Sequence, residues 1–294
     1  MALELETLSR ELKRIAEGFG GGLGYTLMYP HTGEIALQHR GDEMFPTASV
    51  IKIAVMCYIM EQVSLGAIDW ALSVAVTPAH SGQREEGGPA FHFRNRTRLP
   101  LCEWLHLMIC LSDNTATIVL RNLVGQGAIN NWLFRYGFKT TRLLNGAETD
   151  ILGLREMQQE YGLGVTTPSE MARLMAMIRN GEAGSPGACD RMLRLLSHQY
   201  WDDFFIAHVP PMTPKANKTG AVDRSRSDVA LIESPNRPYI LSAFTKNQSD
   251  TRWEADNEGD VALRQISEWV WNYHAPEHLW RPSADATTYY PVGG

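Results

Sequence analysis

Apolar residues recur at helical spacing from the start of the chain. Leu5, Leu8, Leu12 and Ile15 share one face of "MALELETLSRELKRIAEGFG", which predicts an opening amphipathic helix. The period then changes. In "GLGYTLMYPHTGEIALQHR", two runs with strand character near 23–29 and 34–39 flank a Pro-His-Thr-Gly turn and predict a hairpin. From Ser49 to about Arg179 the pattern is mainly helical, with loops expected at 78–99 and 138–166. "TTPSEMARLMAMIRNG" carries a helix start, because Thr167 with Glu170 three residues on fits a capping box and Pro168 fits the first helical position. Asn180-Gly181 supplies its stop. Strand character returns in "DVALIES" and "PYILSAFTK", separated by Pro-Asn-Arg, before "GDVALRQISEWVWNYH" closes with another amphipathic helix.

Strands at both ends around a helical middle predict an α+β fold of the α/β-sandwich type. An antiparallel sheet lobe built from 1–43 plus 204–278 would carry an inserted all-helical lobe, 44–203, with a loose tail at 279–294. The 294 residues, 44% hydrophobic, suffice for one such discontinuous two-lobed domain. A net charge of -6 argues against nucleic acid or a membrane surface as partner. The densest basic patch, Arg94, Arg96 and Arg98, reads as a solvated loop. Cys57, Cys102, Cys110 and Cys189 form no C-x-x-C pair, and His106 with Cys110 makes no metal site, so no metal or cofactor is expected. The N-terminus is not a signal peptide, and no apolar run approaches the roughly 18 residues that span a bilayer. The chain therefore reads as cytoplasmic as given, or as one whose leader has been removed.

"PTASVIKIAVMCYIM" raises the first chemical question, because Lys52 is the one charge in an apolar helical run. Three residues from Ser49, its ammonium would share a helix face with the hydroxyl. Burial disfavours a charged lysine, which prepares it to take a proton from a nucleophilic serine. The helix N-terminus adds N–H groups near Ser49. Two further triplets follow in order: Ser112-Asp113-Asn114 in "LSDNTAT", and Lys218-Thr219-Gly220 ahead of a strand-like segment. Each is weak alone, but together they form a known catalytic set.

On these motifs the chain resembles the penicillin-recognising serine enzymes, most closely the class A β-lactamases. The opening helix, "GYTLMYPHTGEIALQHRGDEMFPTASVIK", "LMICLSDNTATIVL", "TTRL", "TTPSEMARLM" and "KTG" followed by "DVALI" occur in the family's order. The resemblance implies a monomeric hydrolase of small β-lactam or related amides and esters, in a family whose members are usually periplasmic or secreted. Ser49 would be the acylated nucleophile and Lys52 its proton partner. Ser112 would relay a proton to the leaving nitrogen, and Asn114 would hold the substrate's amide side chain. Lys218 and Thr219 would bind its carboxylate, and Gly220 completes that motif. The N–H groups of Ser49 and Ala221 would form the oxyanion hole. Arg226, on the following strand pair with Asp228, is either a second carboxylate contact or half of a structural pair.

The chain departs from the family after "TRL". Ala147 stands where relatives carry the glutamate that activates the deacylating water. Glu148, one residue later, is the first replacement expected, with Asp150 and Glu156 behind it. His92 or Phe93 would sit at the site's rim or pack the loop. The family's helical-lobe disulfide is not reproduced. Hydrolysis through an acyl-enzyme on Ser49 is the expected activity. The alternatives are a penicillin-binding-protein-like peptidase, esterase or amidase, or a sensor that β-lactams acylate once.

Overall fold

The computed structural model describes residues 3–77, 87–278 and 280–291. The expected loop at 78–99 therefore lies outside the described residues over 78–86, as does the expected tail at 279 and 292–294.

Helix α1 (Leu5–Gly18) leads into the predicted hairpin, β1 (Gly22–Tyr29) and β2 (Glu34–His39). A short strand β3 (Phe45–Pro46) and a 3-10 turn, Ala48–Ile51, precede α2 (Lys52–Ser64). Strands β4 (Ser73–Ala75) and β5 (Arg98–Pro100) then pair, and α3 (Leu101–Cys110), α4 (Asn114–Val124) and α5 (Gln126–Arg135) follow. Strand β6 (Arg142–Leu143), helix α6 (Arg155–Tyr161) and strand β7 (Gly164–Thr166) frame a loop-rich stretch before α7 (Pro168–Arg179) and α8 (Pro186–Leu196). The chain ends on β8 (Lys215–Val222), β9 (Ser225–Ile232), β10 (Tyr239–Lys246) and α9 (Glu258–His274).

The main sheet is antiparallel, in the order β2-β1-β10-β9-β8, so both ends of the chain build it. The α+β expectation holds. Both faces of the sheet are covered, which is why its central strands read as nearly continuous apolar runs. Along β10, Tyr239, Leu241 and Ala243 join the core under α1 and α9, with Leu8, Leu12, Leu263 and Ile266. The alternate residues, Ile240 and Phe244, face the helical side.

Helix α2 is surrounded. Ile53, Val55, Met56 and Ile59 are buried together with Trp104, Met108, Trp132 and Met192 from neighbouring helices. A helix apolar on every side needs such a position. It makes α2 a rigid post beneath its own N-terminus, where Ser49 and Lys52 sit.

Thr167 caps α7 by accepting from Glu170 N at 3.1 Å. Glu170 does not reciprocate as a capping box would. Its carboxylate instead accepts from Thr141 N and Thr141 Oγ1, both at 2.6 Å, and pins the segment leading into β6.

Candidate active site

Three separate pieces of chain converge on Ser49. The first is the 3-10 turn that carries it, anchored by Thr47 N donating to Gly164 O at 2.9 Å. Ala48, immediately before the serine, has φ 42°. A non-glycine residue there carries local strain, which the packed post of α2 has to hold. The second piece is β8, which lies directly against the turn. A Cβ added to Gly220 would stand 2.6 Å from Thr47 O and 3.0 Å from Ser49 N. Only glycine allows so close an approach. Ser227 fastens the contact from the next strand, donating toward Thr47 O (3.2 Å) and Gly220 O (3.1 Å).

The third piece is the Ser112–Asn114 bend. Ser112 has φ 58°, a second strained position, which turns both its carbonyl and its hydroxyl toward the lysines. Asp113 caps α4 through Ala116 N (2.7 Å) and holds the 87–90 loop through Ala90 N (2.8 Å). Burial pushes its carboxyl up, against those hydrogen bonds.

Lys52 is fully buried. Its Nζ donates to Ser112 O at 2.5 Å, Asn114 Oδ1 at 2.8 Å and Ser112 Oγ at 3.2 Å. Those oxygens are why a charge is tolerated at the top of an apolar helix. Lys218, equally buried, donates to the same Ser112 Oγ at 3.0 Å and to Thr219 O at 2.9 Å. Burial, and then the charge of Lys52, hold the Lys218 ammonium well below its ordinary range, while Asp228 pulls it partly back. One serine hydroxyl therefore bridges two fully buried lysine side chains.

Ser49, Ser112, Asn114, Thr219, Gly220 and Ala221 border one cleft. Arg226 also borders it, but its donors point inward. Nε lies 2.8 Å from Asp260, the two terminal nitrogens donate to Val222 O at 2.5 Å and Arg252 O at 2.8 Å, and the guanidinium lies under Trp253. The direct carboxylate contact is therefore corrected to a structural role, in which Arg226 braces the β8–β9 turn against α9. The partner is Asp260 rather than Asp228. Asp228 instead accepts from Phe205 N (3.2 Å) and Asn217 Nδ2 (3.3 Å).

Glu148 is the second correction. Its carboxylate accepts from Gly127 N at 2.9 Å, at the N-terminus of α5, where free N–H groups favour a negative charge. It borders neither cleft at Ser49. The Thr149 hydroxyl closes the adjoining turn, 2.7 Å from Leu144 O and 2.9 Å from Gly146 O. Asp150 is exposed and paired with Arg155 at 2.6 Å, and Glu156 is exposed on α6. The residues that do face Ser49 from this side are the amides Asn145, Gln158 and Gln159, beside Leu163.

The sequence motifs also gave no notice of Trp201, Asp203, Trp253, Asp260 and Pro291, which border the other end of the cleft. Burial raises the carboxyls of Asp203 and Asp260 to about 6 and about 7. Phe93 packs against Trp104 rather than at the rim, and His92 does not border the cleft. Cys57, Cys102, Cys110 and Cys189 are all free. No helix among the described residues is long and apolar enough to cross a membrane.

A sheet lobe and a helical lobe that bring a serine, two buried lysines and a bridging serine to one cleft define a serine acyl-transfer enzyme of the class A β-lactamase type. The chain belongs to the β-lactamase enzyme family, whose model matches residues 7–274. A β-lactamase of Rhodobacter capsulatus is 26% identical over 257 residues, covering 86% of this chain and 85% of that protein. Among solved structures, a β-lactamase of Sphaerobacter thermophilus superposes with a TM-score of 0.79 at 24% identity, covering 93% of this chain and 99% of that one. A protein named PBP-A matches with a TM-score of 0.78 at 25% identity, covering 92% and 96%. A point variant of PBP-A was solved as its acyl-enzyme with penicillin G.

Proposed function

We propose that this chain is a serine β-lactamase that opens β-lactams through a covalent ester on Ser49. The observation that carries the proposal is the Lys52–Ser112–Lys218 bridge beside Ser49. A β-lactam presents a strained amide and a carboxylate, so it calls for a nucleophile, a proton relay and a buried cation. With Lys52 reacting as the neutral amine, Ser49 Oγ attacks the carbonyl carbon and its proton passes to the Lys52 nitrogen, which becomes an ammonium. Negative charge builds on the carbonyl oxygen between the N–H groups of Ser49 and Ala221. As the C–N bond breaks, Ser112 gives its proton to the nitrogen and takes one from a lysine ammonium. Burial has already weakened the hold of Lys218 on its proton, which suits it to that supply. Thr219 and Lys218 receive the substrate carboxylate, and Asn114 meets the acyl side chain.

Deacylation follows by water in the cleft bordered by Asn145, Gln158 and Gln159. Amides orient a water but take up no proton near neutral pH, so the second half of the reaction is the slow half. That cleft favours, as a second reading, an enzyme that accumulates its acyl-ester as a penicillin-binding protein does. Mixing the protein with a chromogenic cephalosporin, while following colour and intact mass together, separates the two. Sustained colour with a transient adduct supports the lactamase. One equivalent of colour with a lasting adduct supports the second reading, and colour without an adduct refutes both.

A further inference from the structure

The family match ends at residue 274, yet the chain continues and returns to the cleft. Beyond α9, residues 280–291 include a 3-10 turn at Ala286–Tyr289, and Arg281 lies 3.8 Å from Glu268 of α9. Tyr290 then settles over the Arg264 guanidinium, 5.5 Å from ring centroid to carbon. Arg264 itself is tied down, donating to Asp203 O at 3.1 Å and to Ala255 O. Burial raises the Tyr290 hydroxyl, with Asp203 and Asp202 adding to the rise and Arg264 opposing it. Pro291, the next residue, borders the same cleft as Ser49, Ser112 and Trp253. The expected loose tail is thereby corrected at its far end, where Tyr290 is anchored.

We propose that Pro291, held in place by the Tyr290 ring on Arg264, forms a specificity wall, built from a segment beyond the family match, that limits the size of the group on the nitrogen side of the substrate. This rests on the acyl-transfer reading, which fixes the substrate's direction. With Ser112 and Thr219 on the leaving nitrogen and its carboxylate, substituents on that side point toward Arg226, Trp253 and Pro291. The whole cleft that Pro291 borders, from Asn114 to Trp253, holds about 120 Å³, against about 390 Å³ in the neighbouring cleft toward Asn145 and Gln158. The enzyme therefore accepts compact groups on the nitrogen side and tolerates larger ones on the acyl side. Pro291 suits a wall, because its ring fixes the backbone and it offers no N–H to a polar substituent.

The test compares two probes on the intact chain, on a truncation ending at Pro282, and on Tyr290→Ala. Benzylpenicillin is compact on the nitrogen side, whereas nitrocefin carries a large aryl-vinyl group there. The second-order acylation constant of each is read by mass and absorbance. Removing the wall should raise the nitrocefin-to-benzylpenicillin ratio roughly tenfold, within the range one misfitting group in a pocket produces. The point variant should move the ratio in the same direction without disturbing the melting transition, which guards against a truncation that merely fails to fold. A ratio unchanged in both variants, with acylation intact, overturns the wall and leaves the acyl-transfer reading standing. Failure of every form to be acylated at Ser49 overturns both.

Discussion

Gly220→Ala tests whether the close seating of β8 on the nucleophile's turn sets the reaction's geometry. The added Cβ would lie 2.6 Å from Thr47 O, 2.7 Å from Ser227 Oγ and 3.0 Å from Ser49 N. Non-bonded contacts settle near 3.5 Å, so the strand must withdraw by roughly 0.9 Å. Thr47 O cannot yield easily, since it already accepts from Val50 N at 3.0 Å and receives Ser227 Oγ at 3.2 Å. Strand β8 is therefore the part that moves. Its movement widens the gap between the Ser49 and Ala221 N–H groups and draws Lys218 from Ser112. Losing one oxyanion donor costs about 100- to 1,000-fold. The acylation constant should fall by roughly 100-fold, and overpacking should cost about 1–3 kcal/mol of stability. Stopped-flow acylation with a chromogenic cephalosporin and urea unfolding measure the two effects. Gly187→Ala is the control: it lies in α8 with nothing within 4 Å of the new carbon, so it should leave acylation alone and stabilise by up to about 1 kcal/mol. Acylation within about threefold of the parent in Gly220→Ala, at unchanged stability, would refute the reasoning.

The remaining predictions address the base, the buried acids and the nucleophile's partners. Glu148→Gln should lower stability by about 1 kcal/mol through the weakened hold on α5 and leave the deacylation rate nearly unchanged; a trapped acyl-enzyme would return Glu148 to the role of base. Asn145→Glu places a carboxylate in the water's cleft and should raise deacylation by at least roughly tenfold, since a positioned base contributes about 100-fold or more; steady-state turnover no faster than the parent's would mean that the water sits elsewhere. Burial raises Asp228 from 3.8 to about 7, so the folded chain keeps a proton that the unfolded chain loses above about pH 4. That group therefore subtracts stability as pH rises toward neutrality. Asp228→Asn should gain on the parent between about pH 5 and 7, by at most about 1.4 kcal/mol per pH unit, in urea midpoints. A difference independent of pH would show that Asp228 is already ionised. Lys218→Ala should slow acylation by at least roughly 100-fold by removing a buried cation and a proton source; an unchanged rate would take Lys218 out of the relay.

The elements of this fold were legible wherever chemistry ties residue type to spacing. A hydroxyl and an ammonium three residues apart fall together whether the turn is 3-10 or α, so Ser49 and Lys52 were readable although the helix proper begins only at Lys52. The apolar character of β9 and β10 announced strands covered on both faces. Strand β8 was harder to see, because Lys215, Asn217 and Lys218 break its apolar pattern while Asp228 and Ser112 satisfy two of them. The position of Glu148 was not legible at all. Its carboxylate is taken by the N–H of Gly127, beside a turn that the Thr149 hydroxyl closes, and no periodicity records either contact. Arg226 failed for a related reason: sequence gives a guanidinium's position on a strand but not which carbonyls fold over to take its donors. The tail carries no hydrophobic period; among its described residues the Tyr290 ring over Arg264 and the Arg281–Glu268 pair at 3.8 Å tie it down, and neither leaves a pattern in the sequence.

The central claim is that Ser49 attacks, and one measurement addresses it directly. The intact chain and Ser49→Ala are each mixed with benzylpenicillin, quenched in acid, digested and weighed. The account predicts that the parent gains the mass of one whole penicillin on the peptide containing Ser49, and that the variant gains none. An adduct that persists in Ser49→Ala, or one found on any other residue of the parent, contradicts it.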